Sequence, residues 1–415
     1  SASGMDKGSI LTATAVASAI ACFAMALLSN KPFALSAGLG LNAYFAYTVC
    51  GQMGFSWQVA LTAVLVEGLI FIVLSVTNVR EAIFNAIPAS LKTAVGVGIG
   101  FFITFIGLQN AGIIVDSPTL VGLFNLKAAL ASGTIHTQGV AVMLALFGTL
   151  MIAYMFIKGI KGYMLWGILI TWGLGMVLQL IGFYVPNPKA GFYSVIPSAV
   201  FSMPSSMAST MFQFDFNFMV SHIGDFIVIL FAFLFVDIFD TIGTVIGCAE
   251  KSGMLDEHGK LPEIKGILLA DAVGTTIGAC LGTSTITTFV ESSSGISEGG
   301  RTGLTAVTTG VLFLLALFFS PLFLTIPSFA TAPALMFVGF LMMQQVTNIN
   351  WQDLTKAIPA FVTITMMGFA YSISDGIAFG FITYTILHLC TGKKNELSPL
   401  MYVLSVVFIL KYFLV

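Results

Sequence analysis

The sequence predicts an all-α polytopic membrane protein, and both its composition and its long apolar runs support this. Of the 415 residues, 57% are hydrophobic and only 8% are charged, with a mean hydropathy of +1.00. A soluble domain carries about 25% charged residues, so a chain of this composition could not cover a water-exposed surface. The net charge of −2 also provides no basic field for nucleic acid.

The apolar runs have the length of membrane-spanning helices, which need about 20 mostly apolar residues. Charged residues or clusters of Pro and Gly separate one run from the next. The predicted spans are residues 10–28, 56–77, 91–108, 138–157, 163–184, 223–246, 264–281, 303–324, 331–346, 357–372, 375–391 and 399–415.

Two further stretches, 32–50 and 282–300, are apolar but rich in Gly, Ser and Thr. We expect them to be discontinuous spans, half helical and half extended, with short strands embedded in the membrane. Extended backbone is tolerated there only where it is buried in protein or lines a cavity. Corresponding interruptions in two halves of a chain are typical of inverted-repeat transporters, whose site lies at the interruptions.

The distribution of positive charge supports this map of spans. With residues 1–9 placed outside, only Lys7, Lys127, Lys189 and Lys411 of the 16 lysines and arginines fall on the outer side. The others, including Arg80, fall in inside loops, as the positive-inside rule requires.

Ionisable groups within the spans are functional candidates, because their burial is costly. In F-V-D-I-F-D-T-I-G-T (235–244), Asp237, Asp240, Thr241 and Thr244 stand at helical spacing and predict one polar stripe on an apolar helix. This stripe must face a cavity or a partner. The alternative to a ligand site is that its side chains only bond neighbouring helices.

The two broken segments supply further candidates. In G-T-S-T-I-T-T-F-V-E-S-S-S-G (282–295), we expect Thr288, Phe289 and Glu291 to contact a ligand, with Glu291 near the start of a half-helix. Asn42, in the first broken segment, offers two donors and an acceptor. A structural amide, a capping carboxylate and a core-filling ring are the respective alternatives for Asn42, Glu291 and Phe289.

The candidate set has a definite chemical character. Glu67, alone in the middle of its span, could be structural or could carry a proton, and Asp237, Asp240 and Glu291 are the other proton-coupling candidates. Carboxyls with no Lys or Arg among them favour a neutral ligand rich in N–H donors, or a cation, over an anion. The scattered cysteines predict no metal site, and we expect no catalytic residues, because no nucleophile–base pair stands out.

These motifs, together with G-L-G-L-N-A-Y-F-A-Y (38–47), resemble those of the adenine/guanine/hypoxanthine permeases, a branch of the nucleobase–cation symporters (the nucleobase/ascorbate transporter family). The resemblance implies a seven-plus-seven inverted repeat, with a substrate-carrying core that moves against a gate, a homodimer, and proton symport without a cofactor in the bacterial inner membrane. By position, Asp237 and Glu291 match the family's substrate-binding acids, and Asn42 lies in the matching broken third span.

The resemblance also implies a division into domains. The first repeat places core at 1–77 and gate at 78–221, and the second places core at 222–300 and 301–324, followed by gate and a C-terminal hydrophobic segment at 325–415. The family's first span would precede residue 1, and we interpret the sequence as lacking it.

We therefore expect proton-coupled uptake of hypoxanthine, guanine or adenine by an elevator-like movement. The sequence E-S-S-S-G at 291–295 favours the purine branch over the uracil and xanthine branches, which have Q/E-N-x-G there. A transporter of the same fold for uracil, xanthine or an inorganic anion is the alternative. An intramembrane enzyme would require a nucleophile with a His base or a metal cluster, and the sequence shows neither pattern. A passive channel would more naturally show symmetric rings of pore-lining residues than two dissimilar broken spans.

Overall fold

A computed structural model of the protein describes residues 4–38, 41–42, 44–257 and 260–414, and most of these residues are helical. The helices are α1 (Lys7–Ser29), a π-helix (Tyr44–Gln52), α2 (Trp57–Val76), α3 (Val79–Ala86), α4 (Ala89–Asn110), α5 (Leu126–Ser132), α6 (Gln138–Ile157), α7 (Tyr163–Leu180), α8 (Phe216–Ser221), α9 (Ile223–Lys251), α10 (Ile264–Leu281), α11 (Ser292–Ser297), α12 (Gly303–Phe318), α13 (Ser320–Phe323), α14 (Ser328–Met343), α15 (Leu354–Phe369), α16 (Ile373–Cys390) and α17 (Pro399–Leu414). The strands are β1 (Leu35–Ala37), β2 (Ile114–Ser117), β3 (Leu120–Leu123) and β4 (Ile286–Thr288).

Within the described residues, nine helices are long and apolar enough to cross a membrane, and α12, α15 and α17 are shorter apolar helices. Every predicted span overlaps one of these helices. The predicted polytopic all-α chain is therefore confirmed, and the protein is an integral membrane protein. One predicted span, 303–324, is too long. Helix α12 ends at Phe318 and α13 begins at Ser320, because Pro321 has no N–H with which to continue the preceding helix.

The chain divides into two compact units. The first contains Ser1–Ile99, Met203–Leu317 and Gln344–Val415, and the second contains Gly100–Ser202 and Phe318–Met343. In the second unit, α6, α7 and α14 pack together, and the Trp172 indole donates a hydrogen bond to the Val195 carbonyl at 2.8 Å. The first unit contains both broken segments. The assignment of core and gate domains stays a prediction.

The two broken segments meet in the first unit as a two-stranded antiparallel ribbon. Strand β1 pairs with β4 in the register Leu35 with Thr288, Ser36 with Thr287 and Ala37 with Ile286. The first segment continues into the π-helix and the second into α11, so both are part extended and part helical, as predicted. Pairing provides hydrogen bonds for the backbone groups of each strand that face the other strand, as the interior of a membrane requires.

Helices α1 and α10 support this ribbon through side chains that reach its outer edges. On the β4 edge, Thr275 donates a hydrogen bond to the Ile286 carbonyl at 2.8 Å. On the β1 edge, the Cys22 thiol lies 3.3 Å from the Leu35 amide nitrogen and accepts its N–H. Ser18 adds a 2.8 Å hydrogen bond to the Ser36 hydroxyl. The position of the strands is thus fixed by polar groups on apolar helices.

Small residues allow α1 and α10 to approach closely. A Cβ at Gly266 would overlap the backbone carbonyl of Leu28, and one at Gly274 would lie 2.8 Å from the Ala21 Cβ. Close backbone contact at small residues is a main source of helix association where lipid supplies no hydrophobic drive.

We expect Gly266→Ala to lower the thermal unfolding midpoint of the detergent-purified protein, because overpacking against backbone costs about 1–3 kcal/mol. The matched control is Gly173→Ala on α7, where an added Cβ has nothing within 4 Å, and it should leave the midpoint unchanged or slightly raised. Equal shifts for the two variants would contradict this account of the packing.

Candidate functional site

Helix α9 presents Asp237 and Thr241 to the paired strands, and both side chains are fully buried. The Thr241 hydroxyl oxygen lies 3.2 Å from Asp237 Oδ1, 3.0 Å from Asp271 Oδ1 and 2.6 Å from the Thr287 hydroxyl on β4. A hydroxyl has one proton to donate, so Thr241 cannot satisfy both carboxylates at once. The Thr287 hydroxyl also bonds Asp237, so two hydroxyls are shared between the two acids.

Asp271, on α10, connects β4 with a buried cation. Its Oδ1 accepts the Thr288 N–H at 3.2 Å, and its Oδ2 accepts a hydrogen bond from Arg80 Nη2 at 2.8 Å. Neither side chain of this ion pair is exposed. The expectation that no Lys or Arg stands among the acids is therefore wrong, because α3 turns Arg80 inward from the connection between α2 and α4.

Glu67 faces the same ribbon from α2. It is fully buried, and its Oε2 accepts a 2.8 Å hydrogen bond from the Thr285 hydroxyl, which directly precedes β4. Glu67 also interacts electrostatically with Asp271 and Arg80, and Asp237 interacts with all three. Among the described residues of this cluster, three carboxyls thus share the guanidinium of Arg80.

Several buried polar atoms around the ribbon have no hydrogen-bond partner within the described residues. They are Tyr44 Oη, Glu67 Oε1, Asp237 Oδ2, Thr288 Oγ1 and Ser293 Oγ, together with Arg80 Nε. Buried polar groups are normally paired with protein or water. Several unpaired polar atoms close to the irregular backbone therefore indicate a place where a polar ligand, water or a proton can bind.

The remaining candidates lie at the two ends of the ribbon. Asn42 accepts a hydrogen bond from the Ser284 hydroxyl and donates one to the Ala37 carbonyl at 3.4 Å, so its amide bridges the two broken segments. Phe289 is partly buried, and its N–H bonds the Ala34 carbonyl at 2.8 Å. Glu291 is partly buried directly before α11, and its side chain does not cap that helix.

Asp240 is separated from this group. Its carboxylate accepts the backbone N–H of Ser374 and lies in the fields of Asp375 and Lys411. Asp375 bonds Lys411 and also accepts a 2.9 Å hydrogen bond from the Tyr412 hydroxyl. The predicted single stripe is therefore wrong for Asp240, because positions three apart on a helix diverge by about 60° and α16 offers a donor on the second face.

Two residues of the cluster escaped the sequence analysis for different reasons. Asp271 lies within the predicted span 264–281, and the rule that an intramembrane acid is a functional candidate would have identified it. Arg80 gave no signal, because a cation in an inside loop is the ordinary case. Only the packing of α3 against α2 and α10 places it among the acids.

Comparison with known proteins gives consistent matches over nearly the whole chain. A family model described as "Permease family" matches residues 2–379. The guanine/hypoxanthine permease PbuG of Bacillus subtilis is 44% identical over 409 residues, covering 98% of this chain and 87% of PbuG. The adenine permease AdeP of Escherichia coli is 38% identical over 411 residues, covering 98% of this chain and 86% of AdeP.

A solved structure supports the fold. The transmembrane domain of the cyanobacterium bicarbonate transporter BicA aligns with a TM-score of 0.51 at 14% identity, covering 90% of this chain and 97% of that domain. At such low identity the likeness concerns the fold alone. It confirms the predicted seven-plus-seven inverted-repeat fold.

We expect Thr241→Val to destabilise the protein, because it removes the hydroxyl that serves Asp237 and Asp271 and leaves buried acceptors unsatisfied at a cost of about 1–3 kcal/mol. Thr241→Ser keeps the hydroxyl and is the matched control. Thermal unfolding in detergent measures both variants. A Val variant as stable as the Ser variant would show that the acids do not depend on this hydroxyl.

Proposed function

Since this chain belongs to the permease family, we propose that it takes up purine nucleobases, namely hypoxanthine, guanine and adenine, by secondary active transport coupled to protons. The names of the relatives PbuG and AdeP support the purine substrate. The observation that carries the proposal is the ribbon of β1 and β4, which is lined by buried carboxyls and hydroxyls. The cation that the described residues place beside them, Arg80, is already paired with Asp271.

This lining suits a neutral, planar ligand with several N–H groups. A carboxylate accepts two hydrogen bonds side by side, so Glu291 and Asp237 take N–H groups on the edges of the base. Thr288 offers a hydroxyl that can donate to a ring nitrogen or carbonyl oxygen. Phe289 stacks on the face of the base, and Asn42 keeps the two broken segments together below it.

Charge balance supports proton coupling. If Glu67, Asp237 and Asp271 were all ionised, Arg80 would neutralise one of them and two negative charges would stay in a dry interior, where unpaired charge is very costly. A proton bound by either Glu67 or Asp237 removes one of these charges. Each acid has one oxygen without a partner among the described residues. Asp240 is less suited, since Lys411 already supplies a positive charge nearby.

An inorganic anion is a poorer fit to this site, although the BicA domain shares the fold. An anion requires donors or cations that are not already engaged. The Arg80 guanidinium is held by Asp271 and by the Leu268 carbonyl, and only its Nε has no partner within the described residues. For the transport cycle, we propose alternating access by an elevator-like movement of the core, which carries the ribbon. The protein would work as a homodimer in the bacterial inner membrane. Substrate and proton drive this movement only through their different affinities for the two end states.

We expect cells that express the full-length protein to accumulate labelled hypoxanthine, guanine or adenine, but not uracil or bicarbonate. Glu291→Gln should reduce purine uptake at low substrate by about 10- to 100-fold, since a hydrogen bond to a charged group contributes about 1.5–3 kcal/mol. Glu298→Gln alters an exposed carboxylate seven residues further on and is the control. Uptake of uracil or bicarbonate alone would refute the purine assignment.

We expect Glu67→Gln to abolish the stimulation of uptake by an inward proton gradient, because an amide keeps the Thr285 hydrogen bond but cannot take up a proton. Exchange of labelled for unlabelled base across vesicles without a gradient should persist. The measurement is uptake into proteoliposomes with and without a protonophore. Gradient-driven accumulation of normal size in this variant would exclude Glu67 as a carrier of the proton.

A further inference from the structure

Arg80 is held from several sides in the interior of the first unit. Its Nη2 donates to Asp271 Oδ2 at 2.8 Å, and its Nη1 donates to the Leu268 carbonyl at 3.0 Å. The guanidinium carbon lies 4.2 Å from the centre of the Phe71 ring on α2. The side chain is 0% exposed. A residue in the first turn of a short helix between two spans is thus anchored to both α2 and α10.

Asp271, the partner of Arg80, accepts a backbone N–H of β4 that β1 cannot reach. In the antiparallel ribbon, Leu35 and Thr288 face each other, and the flanking hydrogen bond runs from the Phe289 N–H to the Ala34 carbonyl. Residues in such a ladder alternate, so the Thr288 N–H points away from β1. A ribbon of two strands consists only of edges, and Asp271 Oδ1 accepts this outward N–H at 3.2 Å.

Asp271 can accept this bond in a fixed geometry only while its side chain is held in one orientation. A buried carboxylate without a cation carries a large desolvation cost, and it would bind a proton or rotate toward another donor. Arg80 prevents this by occupying Oδ2, which leaves Oδ1 for Thr288 and Thr241. The ion pair therefore fixes the point at which β4 ends and the chain turns toward Glu291.

We propose that Arg80 is a positioning residue for the substrate site: through Asp271 it fixes the end of β4 and thereby the placement of Thr288, Phe289 and Glu291. The substrate part of this inference rests on the proposed purine transport. The placement of the strand does not, and it can be measured without a substrate.

The first test is transport by Arg80→Gln, Asp271→Asn and the double variant, normalised to the folded protein in the membrane. We expect Arg80→Gln to raise KM for the purine at least tenfold, with a smaller effect on the maximal rate. In the double variant the neutral Asn no longer needs a cation and still accepts the Thr288 N–H. Its KM should therefore return to within about threefold of the unaltered protein.

The matched control is the ion pair of Lys31 with Glu263, the residue directly before α10. Its atoms are 2.9 Å apart, but its side chains are 18% and 53% exposed. Lys31→Gln should leave KM unchanged, because an exposed pair contributes little.

The second test uses Cys248 on α9, whose sulfur lies 3.8 Å from the Val290 carbonyl just beyond β4. Cys22 is changed to Ser, which keeps an acceptor for the Leu35 N–H, and the other three cysteines are changed to Ala. The rate at which a membrane-permeant maleimide alkylates Cys248 then reports the position of this segment in the absence of substrate. Arg80→Gln should raise the rate severalfold, and the double variant should restore it.

The outcomes separate the two proposals. If the unaltered protein transports no purine, the proposed function fails, and the alkylation rates still decide the role of Arg80. If Arg80→Gln leaves both KM and the alkylation rate unchanged and only lowers the amount of folded protein, the residue is merely structural and the inference is overturned. It is equally overturned if the double variant is as defective as Arg80→Gln.

Discussion

The whole site depends on one constraint, which is that two short extended segments must satisfy their backbone groups where lipid offers no hydrogen bonds. Pairing β1 with β4 solves half of the problem, because each strand still has an outer edge. The outer edges account for the otherwise unexpected polar side chains on α1 and α10. Cys22, Thr275 and Asp271 each bond a strand backbone atom. Acids and hydroxyls are thus brought together first by the needs of the backbone.

This constraint also explains why structural and functional roles overlap in the cluster. Asp271 cannot be removed without exposing a strand N–H, and Thr241 cannot be removed without depriving the acids of a donor. Asp237, Glu67 and Thr288 differ, because each keeps an atom without a partner within the described residues. Asp237, Glu67 and Thr288 therefore keep capacity for a ligand or a proton, whereas both oxygens of Asp271 are engaged.

Much of the architecture follows from the sequence, because a membrane span is a local property. Runs of about 20 apolar residues and the interruptions at 32–50 and 282–300 are visible without knowing what they contact. The pairing of β1 with β4, its register and the inward turn of Arg80 depend on distant partners, and no local pattern encodes them. The separation of Asp240 from Asp237 is of the same kind, since the divergence of the two faces matters only once Ser374 and Asp375 are in place.

The ribbon has a consequence for biogenesis. Ala34 and Ser292, which bond each other beside it, are 258 residues apart in the chain. Contacts of such separation form late, because the ends of a long loop must be brought together. The chain between them must also be synthesised first, at about 5–20 residues per second. The first half therefore enters the bilayer with an unpaired strand and waits many seconds for its partner. The site is therefore completed only when the second half has been inserted, and until then the β1 edge is open to mispairing.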